Sequence, residues 1–279
     1  MRTVIGGLGK SGTTALYYAV RAGMPRGTRC LFEPRSYRAT AAPHVLAKIL
    51  VERGVDWSSF RGFDRKVVIL RDPRGQLVSF LLYAVYNHPK PLTTVEANGL
   101  LALLARKEAD SRAVPLSRIS EAIEQITEWD HRAVLRERYA LCCRHLENDP
   151  DFFRIRYEDF VEGRTDGVAA YLGVPQLPRV AVPSSRRRVE RTRGAGDWRN
   201  WFTREDVAYF RHDLGDAMRA FGIEDTWDLP SDPVVAPEHG SEYVRRLIDA
   251  QRERTRWRSR WKRGVQKIID WTSDRYFSG

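Results

Sequence analysis

A short apolar run, Thr3-Val4-Ile5, leads into Gly6-Gly7-Leu8-Gly9-Lys10-Ser11-Gly12-Thr13-Thr14 and then into a helical pattern over 14–22. Glycines let successive backbone N–H groups turn toward an anion, and the start of the next helix adds the positive end of its dipole. Lys10 brings a mobile point charge, and Thr13 and Thr14 bring hydroxyl donors. The chemistry of this set is phosphate binding. The pattern G-x-x-x-x-G-K-[ST] would need Gly at the position of Val4, so this loop departs from it. A candidate second anion reader follows about sixty residues later, where Arg71 follows the run 66–70 and Ser79 stands eight residues on; by itself this segment reads as a capping loop with a solvated Arg. An Arg at the C-terminal end of a strand faces the crevice where α/β sheets bind ligands, and a guanidinium can hold a phosphate bidentately.

The elements that must carry these residues alternate in type. Runs at 3–5, 30–32, 66–70 and 152–157 read as strands. Helical patterns are predicted over 14–22, 43–53, 76–86 (with Leu77, Phe80, Leu81 and Ala84 on one face) and 161–172. Strands alternating with helices imply βαβ units. The fold class is therefore α/β, a P-loop-type three-layer fold with a mainly parallel central sheet flanked by helices. Residues 93–146 read as helical, an inserted or flanking layer.

Composition narrows the classes. Of 279 residues 42% are hydrophobic and 30% charged, so the chain can bury a core and is not of the disordered class. Three cysteines, Cys30, Cys142 and Cys143, are too few for a disulfide framework, and no stretch approaches the roughly 20 apolar residues of a spanning helix. A reducing cytoplasm is the expected location. The formal charge of +11 points to an anionic partner. Residues 243–279 hold eleven basic and four acidic residues, a net of +7, which leaves +4 for the rest. The expected organisation is an α/β domain over 1–230, a Pro-spaced connector over 231–242 and a basic amphipathic helical segment over 243–279. In that segment Trp257, Trp261, Val265, Ile268 and Thr272 form a helical stripe among Arg and Lys. Two readings stay open for it: packing on the domain, or peripheral contact with an anionic membrane that recruits a lipid-linked or polyanionic acceptor. A second basic cluster holds Arg186, Arg187, Arg188, Arg191 and Arg193.

Lys10-Ser11-Gly12-Thr13-Thr14 resembles the 5′-phosphosulfate loop of sulfotransferases that use 3′-phosphoadenosine 5′-phosphosulfate (PAPS) and release adenosine 3′,5′-bisphosphate (PAP). Three further segments match in order. Arg71 and Ser79 resemble the pair that binds the 3′-phosphate. Arg156-Tyr157-Glu158-Asp159-Phe160 resembles the segment whose Tyr contacts the adenine, and Glu158 and Asp159 can also be read as caps of the following helix. Arg191-Thr192-Arg193-Gly194-Ala195-Gly196-Asp197-Trp198 resembles the loop that wraps the 3′-phosphate, with Thr192 for Lys, Arg193 for the first Gly and Ala15 for an adenine-stacking Trp as departures.

The resemblance spans roughly residues 3–221 and implies a soluble, bacterial-type PAPS-dependent sulfotransferase. On this likeness Gly9, Lys10, Ser11, Gly12, Thr13 and Thr14 hold the 5′ end, with Lys10 stabilising the leaving oxygen. Arg71, Ser79, Tyr157, Arg191, Arg193 and Gly194 hold the rest of the nucleotide, and which of Arg191, Arg193 and Gly194 meets the 3′-phosphate stays open. A base must take the proton of the acceptor hydroxyl. Glu33, in Leu31-Phe32-Glu33-Pro34-Arg35, resembles the Phe-Glu-Pro segment of carbohydrate sulfotransferases and is the first candidate, with pairing to Arg35 as its bland reading. His44 is the second, since relatives acting on small alcohols use a His. The acceptor expected is a carbohydrate or glycolipid hydroxyl, or a small alcohol. No metal is expected in the site.

Two other classes fit the sequence less well. A P-loop kinase or nucleotide hydrolase needs a carboxylate to hold Mg²⁺ after an apolar strand, and Asp72, between Arg71 and Pro73, is its best candidate. A nucleic-acid binder would rest on the basic tail alone, because no zinc-finger, RRM or KH signature is present, so no nucleic-acid partner is expected.

Overall fold

In a computed structural model, which describes residues 1–183, 191 and 194–256, five strands form one sheet in which every neighbouring pair runs parallel. They are β1 (Arg2–Gly7), β2 (Arg29–Phe32), β3 (Val45–Lys48), β4 (Arg65–Leu70) and β5 (Phe153–Arg156), in the order β2-β3-β1-β4-β5. Ile5 of β1 lies across from Lys48 of β3 and Val67 of β4. Successive residues point to opposite faces. Ile5, Val67 and Ile69 join one apolar core with Leu16, Val20 and Leu172, while Val4 and Val68 join the other with Leu77, Leu81, Leu104, Ile119 and Leu214. The first core lies under α1 (Thr13–Gly23) and α7 (Asp166–Leu172). The second lies under α2 (Pro73–Asn87), α3 (Thr94–Ala109), α4 (Leu116–Thr127), α5 (His131–Asn148) and α9 (Arg204–Ala220). The α/β three-layer class read from the sequence is the class observed. The short helices α6 (Tyr157–Glu162) and α8 (Trp198–Trp201) complete it.

Residues 43–53, predicted as a helix, form β3 and its extension instead. Val45, Leu46, Ala47 and Ile49 are fully buried, and Ile49 and Val51 donate their N–H groups to the carbonyls of Ile5 and Gly7. A short apolar run buried on both faces carries no period that separates strand from helix. The helix predicted over 161–172 is two helices, α6 and α7. Gly163, with φ of 85°, caps the first in the left-handed conformation and ends it.

Helix starts hold the layers in register. Asp72 caps α2 and Pro73 occupies its first turn, so the helix begins three residues before the predicted 76. Asp206 is fully buried and caps two helices: it accepts from Thr203 at the start of α9 and from the N–H groups of Leu116 and Ser117, both at 2.8 Å, at the start of α4. Residues 241–256 are helical. Ser241 donates its N–H and hydroxyl to Glu108, at 2.5 and 2.9 Å, and Tyr243, Val244, Leu247 and Ile248 are buried in the second core. The first part of the basic segment is thus core; the stripe from Trp257 to Thr272 lies outside the described residues. Among the described residues no helix is long and apolar enough to cross a membrane, and Cys30, Cys142 and Cys143 carry free thiols.

Candidate functional site

Parallel strands deliver their following residues to one edge of the sheet. Here β1 delivers the glycine-rich loop, β4 delivers Arg71, β5 delivers Tyr157, and β2 delivers Glu33. The chain moves from β1 toward β3 and β2 on one side and toward β4 and β5 on the other, so the crevice of a topological switch point opens at β1.

The loop is shaped by close approach. A Cβ on Gly7 would lie 2.7 Å from the carbonyl oxygen of Ile69, and one on Gly12 would lie 2.7 Å from Tyr157 Cδ2. Gly12 also has φ of 89°, and Lys10, with φ of 69°, is one of three non-glycine residues in the left-handed region among the described residues. Ser11 is buried and donates its hydroxyl to the carbonyl of Leu8 at 2.7 Å, which closes the turn. Gln76 Nε2 donates to the carbonyl of Gly9 at 2.7 Å, fastening the loop to α2. Thr13 and Thr14 open α1. The Lys10 ammonium lies 3.8 Å from the centre of the Tyr83 ring.

Arg71 joins this loop to the second anion reader. Its Nη1 donates to the carbonyl of Lys10 at 3.0 Å and to Ser79 Oγ at 3.2 Å, and its guanidinium lies 4.3 Å from the centre of the Tyr157 ring. Burial pushes the Arg71 pKa down, with Arg191 acting in the same direction and Tyr157, Asp197 and Glu158 opposing it. Burial likewise pushes Tyr157 up, against the pull of Arg71 and Arg191. Glu158 does not cap α6; its Oε1 accepts the N–H of Asp72 at 3.1 Å and ties the end of β5 to the end of β4. The structure therefore brings Lys10, Arg71, Ser79 and Tyr157 into one cluster with the loop.

Arg191, Asp197 and Trp198 approach the same cluster. Arg191 is buried, pairs bidentately with Asp197, and has no partner for its Nε among the described residues. Trp198 is fully buried beneath the Arg74 guanidinium and anchors the loop to α2, which places Asp197. Gly194 is among the described residues; Arg193 and the Arg186, Arg187 and Arg188 cluster lie outside them.

The two base candidates part company. Glu33 follows β2 at the same edge as the loop, in the left-handed region at φ of 56°. Its carboxylate pairs with the buried Lys48, not with Arg35, and its N–H donates to the Lys48 carbonyl at 2.8 Å. Because β3 intervenes between β2 and β1, Glu33 is two strands from the loop, roughly 10 Å at the usual spacing of strands. His44 precedes β3, and its carbonyl accepts the N–H of Arg29 at the start of β2. That is the opposite edge of the sheet, a strand's length away, so the expectation for His44 is corrected: it does not belong to this site. Asp72, the carboxylate the kinase reading needs, accepts from Arg74 N at 2.9 Å and Nη2 at 2.8 Å. It is committed to capping α2 and to an ion pair.

Several members of the cluster escaped sequence reasoning. Lys48, the partner of Glu33, had a signal, a single cation inside the apolar run 45–51. Tyr83 stands one turn after Ser79 on the same helix, a spacing that puts both on one face. Tyr243, from the C-terminal helix, is fully buried, its hydroxyl without a partner among the described residues and under the electrostatic influence of Arg191, Tyr83, Arg246 and Arg71. Nothing local marked it.

No family model matches this chain, and no curated protein matches it. Among solved structures, it is similar to the crystal structure of mouse sulfotransferase SULT7A1 complexed with PAP, at a TM-score of 0.47 and 17% identity, over 78% of this chain and 84% of that one.

Proposed function

We propose that the protein transfers the sulfuryl group of PAPS to an acceptor hydroxyl. The observation that carries this reading is the position of Arg71 Nη1, bonded at once to the carbonyl of Lys10 and to Ser79 Oγ. One guanidinium thus links a loop suited to one phosphate with a helix face suited to another. The fit to a nucleotide with two anionic ends is supported by the buried orphan donors of the cluster, Arg191 Nε and the Tyr243 hydroxyl.

In this reading the backbone amides from Gly9 to Thr14, with the Ser11, Thr13 and Thr14 residues, hold the 5′-phosphate, and the α1 dipole adds to their field. Arg71 and Ser79 hold the 3′-phosphate, joined by Arg191, Arg193 and the Gly194 amide, and Tyr157 contacts the adenine. Lys10 neutralises charge on the oxygen that bridges phosphate and sulfuryl group, the atom on which charge grows during transfer. When bound, PAPS supplies a sulfuryl group whose bond to that oxygen breaks as a bond to the acceptor oxygen forms. Glu33 takes the acceptor's proton, and Lys48 fixes the direction of its carboxylate. The acceptor is a carbohydrate or glycolipid, on the strength of Phe32-Glu33-Pro34, and the basic residues of 243–279 meet an anionic membrane or acceptor surface.

Transfer of labelled sulfur from PAPS to a panel of glycans and glycolipids tests the reading. Glu33→Gln is expected to lower turnover by about 10²-fold while leaving PAP affinity intact. Turnover near that of the wild type would remove Glu33 from the role of base.

A further inference from the structure

The glycine-rich loop has a cation beside it that the reading above does not use. Arg138, on α5, brings Nη1 to 3.9 Å from the position a Cβ would take on Gly9. Its guanidinium lies 5.2 Å from the centre of the Phe80 ring, next in sequence to Ser79. Among the described residues it has no hydrogen bond or ion pair. The carboxylates that act on it are Glu52 and Glu137, and Glu137 is paired with Arg53. Burial pushes the Arg138 pKa below the usual guanidinium range. The residue is held from the core side: Leu135 and Cys142, on the same helix, are buried, and the neighbouring Tyr139 hydroxyl donates to the carbonyl of Pro73 at 3.2 Å.

A half-buried guanidinium with no ion pair among the described residues loses solvation that an anionic ligand restores. The phosphosulfate end of PAPS carries two negative charges, one on phosphate and one on the sulfuryl group. Lys10 supplies one positive charge. Arg71, committed to the Lys10 carbonyl and Ser79, belongs to the other end. The planar fork of Arg138 suits two of the three non-bridging sulfuryl oxygens.

We infer that Arg138 binds the sulfuryl group, and so is the residue by which the site distinguishes donor from spent nucleotide. The inference rests on the PAPS reading and adds to it a reason for product to leave: once the sulfuryl group has departed, Arg138 has nothing to hold.

The test is calorimetry of PAPS and of PAP with wild type, Arg138→Gln and Arg138→Lys. The Gln variant should bind PAPS about 10- to 100-fold more weakly, the loss of a charge-assisted pair, with PAP affinity within about twofold of wild type. The Lys variant should recover part of the PAPS affinity. An equal loss for both nucleotides would assign Arg138 to the 5′-phosphate and overturn the inference; so would no loss for either. Failure of the wild type to bind PAP at all would instead overturn the PAPS reading beneath it. Should Arg138→Gln not fold, the ratio of PAPS to PAP affinity in Arg138→Lys decides, and a ratio unchanged from wild type rejects the inference.

Discussion

Arg71 shows how much one side chain can organise when it is buried. Its guanidinium bonds the end of the glycine-rich loop, reaches Ser79 on α2, and covers the Tyr157 ring that also presses on Gly12. Three strand ends meet through it. Arg71→Lys keeps the charge and loses the fork, so it cannot serve the loop carbonyl, Ser79 and a phosphate together. PAP affinity measured by calorimetry should fall by roughly 10-fold or more, whereas an affinity equal to wild type would mean that Arg71 is only a structural strut. Arg71, Ser79 and Tyr157 were picked out by their likeness to a family's motifs and Lys10 by its glycine-rich loop; the structure gathers them because strand ends of a parallel sheet share an edge. Arg138 and Tyr243 were not legible, because their nearness to the loop arises from packing between distant helices. His44 misled for a related reason: its type suited a base, and only the direction of β3 reveals that it stands at the wrong edge.

Among the elements, α5 carries a group whose protonation opposes folding. His131, its first residue, is fully buried; its Nε2 lies 2.9 Å from Thr127 Oγ1 at the end of α4, while Nδ1 has no partner. Burial is the main cause that lowers its pKa from 6.5 to about 4. Between those values the unfolded chain takes up a proton that the folded chain refuses, so stability falls as pH drops from 6.5 to 4 and is unaffected by this group above 6.5. Urea unfolding at pH 7 and pH 4.5 should show the wild type losing up to about 3 kcal/mol more than His131→Gln; equal losses would contradict the assignment. The elements themselves were read unevenly. α2, with its Asp-Pro start and one apolar face, was legible to within a few residues. β3 was not, since Val45-Leu46-Ala47 is short and apolar on both faces, and only its neighbours β1 and β2 decide its state.

The described residues form a parallel sheet with Lys10, Arg71, Ser79 and Tyr157 gathered at one edge and the helix over 241–256 packed into its core. Lys10, Arg71, Arg138 and Arg191 lie around the crevice, while residues 243–279 carry +7 of the net +11. A nucleotide that spans the crevice must satisfy both of its ends. The direct measurement is calorimetric titration of the full chain with PAP, adenosine 5′-monophosphate and adenosine 3′-monophosphate. PAP should bind tightest, with each monophosphate weaker by at least about tenfold, since each forfeits one set of charge-assisted bonds. If a monophosphate binds as tightly as PAP, or none of the three binds, the two-ended grip does not exist.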